Sequence, residues 1–363
     1  MRPPADSLGA MVRSDPSVPV LVLLLLGAGL LTLSSAAPGG EFLRQLAFLG
    51  VGLVAVASIL WLGKRRILRF VPHLYVLSLA LLVAVHLIGT RVNGAKSWIY
   101  LGPLPGFQPS ELAKLALIVA LAAVLHERPV RGLMGYLRPL ALILPPFALV
   151  FLEPDLGSAL VLLAIGGGMM LVRGIPWRHL AAFALIFAVL FPSVVWPNLE
   201  PHQRTRLVSF MNPAADPQGS GYQVIQSTIA IGSGGLTGKG YGQGTQSQLG
   251  FIPYRHTDFI FPVLAEEGGF LAAVLLLTLY GLLFWRMVAM ASECIYERDQ
   301  LVIMGVLTLI GFQVLVNVGV TLGLAPVTGI TLPLVSYGGT SLVSTLIALA
   351  LVYVVHRDRY ADW

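Results

Sequence analysis

Ten nearly uninterrupted apolar stretches, separated by short polar or basic segments, run the length of this chain. They are Val18–Leu33, Phe42–Leu62, Phe70–Ile88, Glu111–Leu125, Tyr136–Leu152, Leu156–Val172, Trp177–Trp196, Phe259–Trp285, Leu301–Leu324 and Leu334–Val355. About 20 apolar residues carry a helix across the hydrocarbon of a bilayer. Inside lipid every backbone N–H and C=O must be paired, so each stretch is expected as a helix. The residues fall in blocks, not in the one-sided stripes of a soluble helix. Composition agrees: 56% of the 363 residues are hydrophobic and 11% charged, against about a quarter charged in soluble domains. The expected fold is an all-α integral membrane protein, a single polytopic domain of ten transmembrane helices. Its longest loop, residues 197–257, joins helices 7 and 8 on the extracytoplasmic side.

Lys and Arg are retained on the cytoplasmic side, so their distribution over alternate loops sets the orientation. One set holds Arg2 and Arg13; Lys64, Arg65, Arg66 and Arg69; Arg128, Arg131 and Arg138; Arg173 and Arg178; Arg286 and Arg298; Arg357 and Arg359. The opposite short loops hold only Arg44, Arg91 and Lys96. Both termini are then expected in the cytoplasm, and the net charge of +6 reads as topology rather than as a nucleic-acid surface. The first stretch, followed by Ser34-Ser35-Ala36-Ala37, also fits a secretory signal peptide. Its length exceeds the roughly 7–15 residues of a signal core, which favours a retained span. The single cysteine, Cys294, permits no intrachain disulfide and no cysteine-based metal site.

Ionisable groups and irregular backbone at membrane depth are costly, so they mark cavities and sites. Four regions qualify, all on the expected outer side. In the first, Lys96-Ser97-Trp98 precedes Gln108-Pro109-Ser110-Glu111-Leu112-Ala113-Lys114, with Glu111 and Lys114 three apart on one helical face. These are either an interfacial anchor with a helix-capping ion pair or groups that meet an anionic substrate. The second is Glu153-Pro154-Asp155-Leu156-Gly157, either a polar hairpin whose acids face water or part of a site beside a helix interrupted by Pro145-Pro146. The third is the long loop, with Arg204 and Arg206 near its start and seven glycines between Gly232 and Gly244 around Lys239. The glycine run resembles a phosphate-binding loop only superficially, since Ser233 stands at the first glycine and Gly240 replaces the magnesium-holding Ser/Thr. The fourth is Pro253-Tyr254-Arg255-His256-Thr257-Asp258, entering the eighth helix. Asp258 there is either a helix-start residue favoured by the dipole or a base beside a lipid-anchored substrate. Glu266 and Glu267 read as interfacial or helix-packing groups, and His256 as a hydrogen-bond partner.

Together these segments resemble the SEDS family (shape, elongation, division and sporulation) of polytopic peptidoglycan polymerases, over nearly the whole chain. The resemblance is carried by Lys96-Ser97-Trp98, Gln108 to Lys114, Glu153 to Gly157, and His256-Thr257-Asp258-Phe259. It continues through Asn317, Gly323, Pro326, Gly329 and Ser336-Tyr337-Gly338-Gly339-Thr340-Ser341. Gly244-Thr245-Gln246-Ser247-Gln248-Leu249 looks more like the elongation-type branch than the division-type branch, whereas Tyr254 stands where the family usually has Glu. The resemblance implies polymerisation of lipid II, on undecaprenyl pyrophosphate, into glycan strands outside the membrane, with Asp258 at the proposed catalytic aspartate. It also implies a class B penicillin-binding protein as transpeptidase partner within the elongation machinery.

That chemistry suits one carboxylate. Glycoside hydrolysis commonly uses two, because a sugar alkoxide must be protonated as it leaves. An isoprenyl pyrophosphate leaves as a stable anion, so a single base that deprotonates the acceptor hydroxyl suffices, with inversion at the anomeric carbon. Asp258 is the candidate base; Lys114, Arg204, Arg206, Lys239 or Arg255 would meet the diphosphate. A divalent cation could share that task, although no ligand cluster in the sequence demands one. The alternative is a flippase of the same lipid-linked precursor. It would need polar groups down to the inner face, whereas Glu111, Lys114, Asp258, Glu266 and Glu267 gather toward the outer half.

Overall fold

The apolar stretches fold as helices, the one open structure that pairs its own backbone in lipid. A computed structural model describes residues 15–37, 39–92, 95–100, 106–127, 134–213, 216 and 219–360; Arg2, Arg13, Arg128 and Arg131 lie outside them. The order is α1 (Ser17–Ala36), α2 (Gly40–Arg69), α3 (Val71–Ile88), β1 (Thr90–Val92), β2 (Ala95–Trp98), α4 (Pro109–Glu127), α5 (Met134–Leu152), α6 (Leu156–Val172) and α7 (Trp177–Leu190). A π-turn (Phe191–Val195) then leads through α8 (Trp196–Asn198) to α9 (Pro201–Met211), α10 (Ser220–Ser233), α11 (Thr245–Gln248), α12 (Ile260–Glu293), α13 (Glu297–Thr321) and α14 (Gly339–Arg357). Among the described residues eight helices are long and apolar enough to cross a membrane, namely α1–α5 and α12–α14. Two further apolar helices, α6 and the stretch 177–193, are shorter.

One feature departs from the sequence expectation. The antiparallel β1–β2 hairpin interrupts an otherwise helical chain, and Asn93-Gly94 between its strands is a hairpin signal already present in the sequence. The apolar run Tyr222-Gln223-Val224-Ile225 argues for an ordered part in the long loop, and it lies in α10; α9 and α10 occupy much of the loop, the latter packed on α12.

Burial separates the helices by role. Over the most apolar window, 78% of α4 is buried inside the protein, compared with 6% of α2. Thus α4 is wrapped on every side by α3, α5, α6, α13 and α14, while α2 lays one edge on α14 and turns the rest to lipid.

The glycine run has a structural explanation. Helix α12 breaks at Gly269 (φ 69°, ψ −168°), and the break frees backbone groups that lipid could not satisfy. The loop inserts its own backbone there: Phe270 N donates to Gly235 O (2.9 Å), Leu271 N to Leu236 O (3.1 Å), Lys239 N to Glu266 O (3.0 Å) and Gly240 N to Glu267 O (3.0 Å). A Cβ on Gly238 (φ 80°) would lie 2.1 Å from Glu267 O, and one on Gly269 would lie 2.3 Å from Gly238 N. Side chains are excluded from this seam. Gly238→Ala should therefore lower stability by about 1–3 kcal/mol, read as a fall in the thermal unfolding midpoint. Gly232→Ala, where nothing lies within 4 Å of the added Cβ, is the control expected to change little.

At the end of the bundle opposite Asp258, charged groups from four helices and from Asp15, just before α1, converge. Helix α2 breaks at Gly63 (φ 70°), turning Lys64 inward to an ion pair with Asp299 of α13 at 2.8 Å, both side chains fully buried. Lys64 N donates to Asp358 Oδ2 (3.1 Å), His356 Nε2 meets Glu293 Oε2 (2.7 Å), and Arg286 pairs with Asp15. The expectation that the inner ends carry mainly topology-setting cations is corrected here: Lys64 is part of a buried pair. It remains closed on itself, with neither side chain accessible.

Candidate active site

Asp258 sits in a tight turn immediately before α12. Tyr254, with φ of 53°, presents its carbonyl to Thr257 N (3.0 Å) and Phe259 N (3.3 Å). The turn is then clamped from three elements. Asn317 of α13 donates from Nδ2 to both Asp258 O (2.9 Å) and Ile330 O (2.8 Å). Ser336 Oγ donates to Thr257 O (2.6 Å) and accepts from Leu332 N (2.9 Å). Tyr337 N donates to His256 O (2.8 Å). From α2, Gln45 reaches Ser336 O with Nε2 (3.1 Å) and accepts from Gly338 N (3.2 Å). The motif residues Asn317 and Ser336 thus hold the backbone of the aspartate turn. Gln45 went unnoticed in the sequence; its signal was a polar residue inside an apolar stretch.

The carboxylate itself points into a gap beside Gly329. Asp258 Oδ2 and Arg206 Nη1 each lie 3.8 Å from the position a Cβ on Gly329 would take. Gly329, exposed and with φ of 75°, leaves open the space between acid and guanidinium. Burial pushes the Asp258 carboxyl up to about 6; the Arg206 charge opposes that rise and the Asp155 charge adds to it. Asp155 caps α6, accepting from Ser158 N (3.0 Å) with Oδ1 and from Gln108 Nε2 (3.0 Å) with Oδ2. Its neighbour Glu153 does not face water: it is 1% exposed, and burial pushes its carboxyl up to about 8, with the Asp155 charge adding to the effect.

The other sequence candidates fall around this centre. Lys114 is buried between α4 and α14, its Nζ donating to Glu111 Oε1 (2.6 Å), while Ser344 Oγ donates to Glu111 Oε2 (2.6 Å). Ser344 also reaches Ser341 O (3.0 Å), and the Ser341 and Thr331 hydroxyls meet at 2.9 Å. A polar seam therefore runs from the Lys114–Glu111 pair to residues 330–331, next to the aspartate turn. Lys239 is occupied elsewhere: its Nζ donates to Glu266 Oε1 (2.8 Å) and Thr245 Oγ1 (2.7 Å). Glu266 also accepts from Gln246 N and Ser247 N, and Glu267 from Ser35 Oγ and Gln248 Nε2; both acids hold the long loop. Arg204 donates from Nη2 to Pro197 O (2.7 Å), whereas Arg206 forms no hydrogen bond or ion pair among the described residues. Trp98 lies against Gly106, where an added Cβ would be 2.9 Å from its ring. His256 sits 5.7 Å from the Tyr337 ring, centroid to centroid, and burial lowers its pKa, Glu41 opposing and Arg255 assisting. Among the described residues no three His, Cys, Asp or Glu side chains gather as metal ligands.

A multi-pass helical membrane protein with a carboxylate facing a guanidinium across an open gap at the end of its bundle has the form of a glycosyl-transferring membrane enzyme. Residues 20–361 match the FtsW/RodA/SpoVE family, described as cell cycle proteins, and the chain belongs to that family. It is 36% identical to peptidoglycan glycosyltransferase MrdB of Escherichia coli K12, covering 96% of this chain and 95% of the relative. It is likewise 36% identical to stage V sporulation protein E of Bacillus subtilis, covering 95% and 96%. Its fold matches the rod shape determining protein RodA of Thermus thermophilus at 40% identity with a TM-score of 0.76, covering 97% of this chain and all of the other. A chain of a peptidoglycan synthase complex that coordinates polymerisation and crosslinking matches at 46% identity and a TM-score of 0.86, with the same coverage.

Proposed function

We infer that this chain is a peptidoglycan glycosyltransferase that polymerises lipid II into glycan strands at the outer face of the cytoplasmic membrane, for cell elongation. The observation that carries the reading is the Asp258 turn: a base clamped through its backbone by Asn317, Ser336 and Tyr337, with Arg206 across an open gap. Asp258 takes the proton from the acceptor sugar hydroxyl as that oxygen attacks the anomeric carbon of the donor. The bond to the diphosphate breaks on the opposite face, giving inversion. Arg206 meets the charge that develops on the leaving diphosphate. The Lys114–Glu111 pair is already balanced, so it orients polar substrate groups rather than supplying net charge. A divalent cation carried in with the diphosphate would act beside these residues.

The reading includes ten spans with both termini cytoplasmic, supported by the convergence of Lys64, Arg286 and Arg357 at the end opposite Asp258. It also includes a class B penicillin-binding protein as transpeptidase partner, supported by the likeness to a chain of a synthase complex. The competing reading is a flippase. Reconstituting the chain, alone and with its partner, in vesicles with labelled lipid II separates the two. Glycan polymer is expected; catalysed transbilayer movement without polymer would remove the transferase assignment.

A further inference from the structure

A cavity of about 220 Å³ lies beside the site, on the side of Asp258 formed by the outer loop. Arg206 and Phe210 of α9, Val224 and Ile225 of α10, and Ala325 and Val327 from the segment after α13 form its walls. It is apolar except at the Ser209, Ser220 and Thr228 side chains and at Arg206, whose guanidinium also faces Asp258 across Gly329. The buried Ser227 Oγ donates to Thr321 O (2.6 Å), tying α10 to the last turn of α13 and so placing the cavity where that span leaves the membrane.

The surroundings of the cavity are apolar and open. Met211 is 87% and Leu324 74% exposed, and Val208, Ile229 and Leu322 are exposed as well. Each is next in sequence to a residue lining the cavity. Such a rim on a loop bathed in water is unfavourable; at a bilayer boundary it is the solvated state. The volume is smaller than the roughly 300 Å³ at which pockets enclose a whole small ligand, which suits part of a longer molecule whose remainder lies in lipid.

We propose that this cavity is a binding site for an isoprenyl phosphate, with the phosphate on Arg206 and the first isoprene units between Phe210, Val224, Ile225, Ala325 and Val327. It rests on the polymerase reading for its place in the reaction. Polymerisation joins two molecules that each carry an isoprenyl pyrophosphate, and the Lys114–Glu111 seam approaches Asp258 between α4 and α14, away from this cavity. The two flanks of the base thus provide one place for each substrate, this cavity being the one that opens toward lipid.

The test uses the full chain in lipid nanodiscs and a diazirine-bearing polyprenyl pyrophosphate without sugar, with labelled peptides mapped after irradiation. Labelling is expected in α9, α10 or residues 322–327. Ala325→Phe, which fills the cavity, and Arg206→Ala, which removes a charge-assisted contact, should each weaken it by about 10- to 100-fold. Unchanged melting would show that both variants fold. A neutral diazirine polyprenol should label weakly and be indifferent to Arg206→Ala. Competition by unlabelled lipid II but not by undecaprenyl pyrophosphate would identify the occupant as substrate, and equal competition would identify it as the shared carrier. Labelling confined to α2–α4, or undiminished in both folded variants, overturns the site. Since labelling needs no turnover, a chain that labels as expected yet makes no polymer would lose the polymerase reading and keep the lipid site.

Discussion

Asp258→Asn should abolish strand synthesis while leaving a folded protein. The substitution keeps shape and volume, and the backbone clamps from Asn317, Ser336 and Tyr337 do not involve the carboxylate. Loss of a general base costs about 10²- to 10⁴-fold in rate. The pH profile carries a second signature. With its carboxyl pushed up to about 6, Asp258 is protonated and inactive below that value, so polymerisation should rise through an acid limb near pH 6. Arg206→Ala removes the charge that opposes the burial effect and should move the limb upward, whereas Asp155→Asn removes a like charge and should move it downward. Stability has the opposite sense. A carboxyl whose pKa is raised by folding contributes stability that is present below the unfolded value of 3.8 and lost as pH rises through about 6. At pH 8, Asp258→Asn should therefore melt at the same temperature as the parent or higher. A melting point well below the parent would mean that the carboxylate holds the fold, and the loss of activity would no longer identify a base.

The second large effect concerns the end of the bundle opposite Asp258. Lys64→Met leaves Asp299 buried without its partner and should cost about 3–5 kcal/mol, seen as loss of folded protein in detergent. Lys64→Met with Asp299→Leu removes both charges and should recover most of that loss, because a pair with no exposed side-chain surface trades desolvation against attraction nearly evenly. Arg65→Met, at an exposed neighbour, should cost far less. If the double variant is no better than the single one, the two residues contribute independently and the pair is not the unit that matters. Since this end lies away from Asp258, a recovered double variant should also recover polymerisation.

How far the sequence could be read is clear from particular residues. The apolar stretches placed the helices because lipid admits few alternatives, and observed ends lie within a few residues of the expected ones for α1, α3, α5 and α6. His256-Thr257-Asp258 marked the acid because a carboxylate beside a long apolar stretch is rare and costly. Partners were harder. Lys64 and Arg65 are adjacent and alike in sequence, yet one is buried on Asp299, 235 positions away, and the other is exposed. Lys239 and Arg206 were equal candidates for a diphosphate, but Glu266 holds the first while the second is left facing Asp258.

The glycine run shows the same division. In the sequence it resembles a phosphate-binding loop only superficially, and nothing local names what it approaches, which is the break at Gly269 of another helix. What the sequence by itself determined is the membrane class, the helices and the residues whose presence in an apolar chain demands a reason. These follow from solvation, which acts on each segment separately. Only the tertiary structure decided which charge meets which, how Asn317 and Gln45 hold the aspartate turn, and where a lipid-facing cavity opens. Those outcomes depend on helices far apart in the chain packing side by side, and periodicity along one segment carries no record of its neighbours.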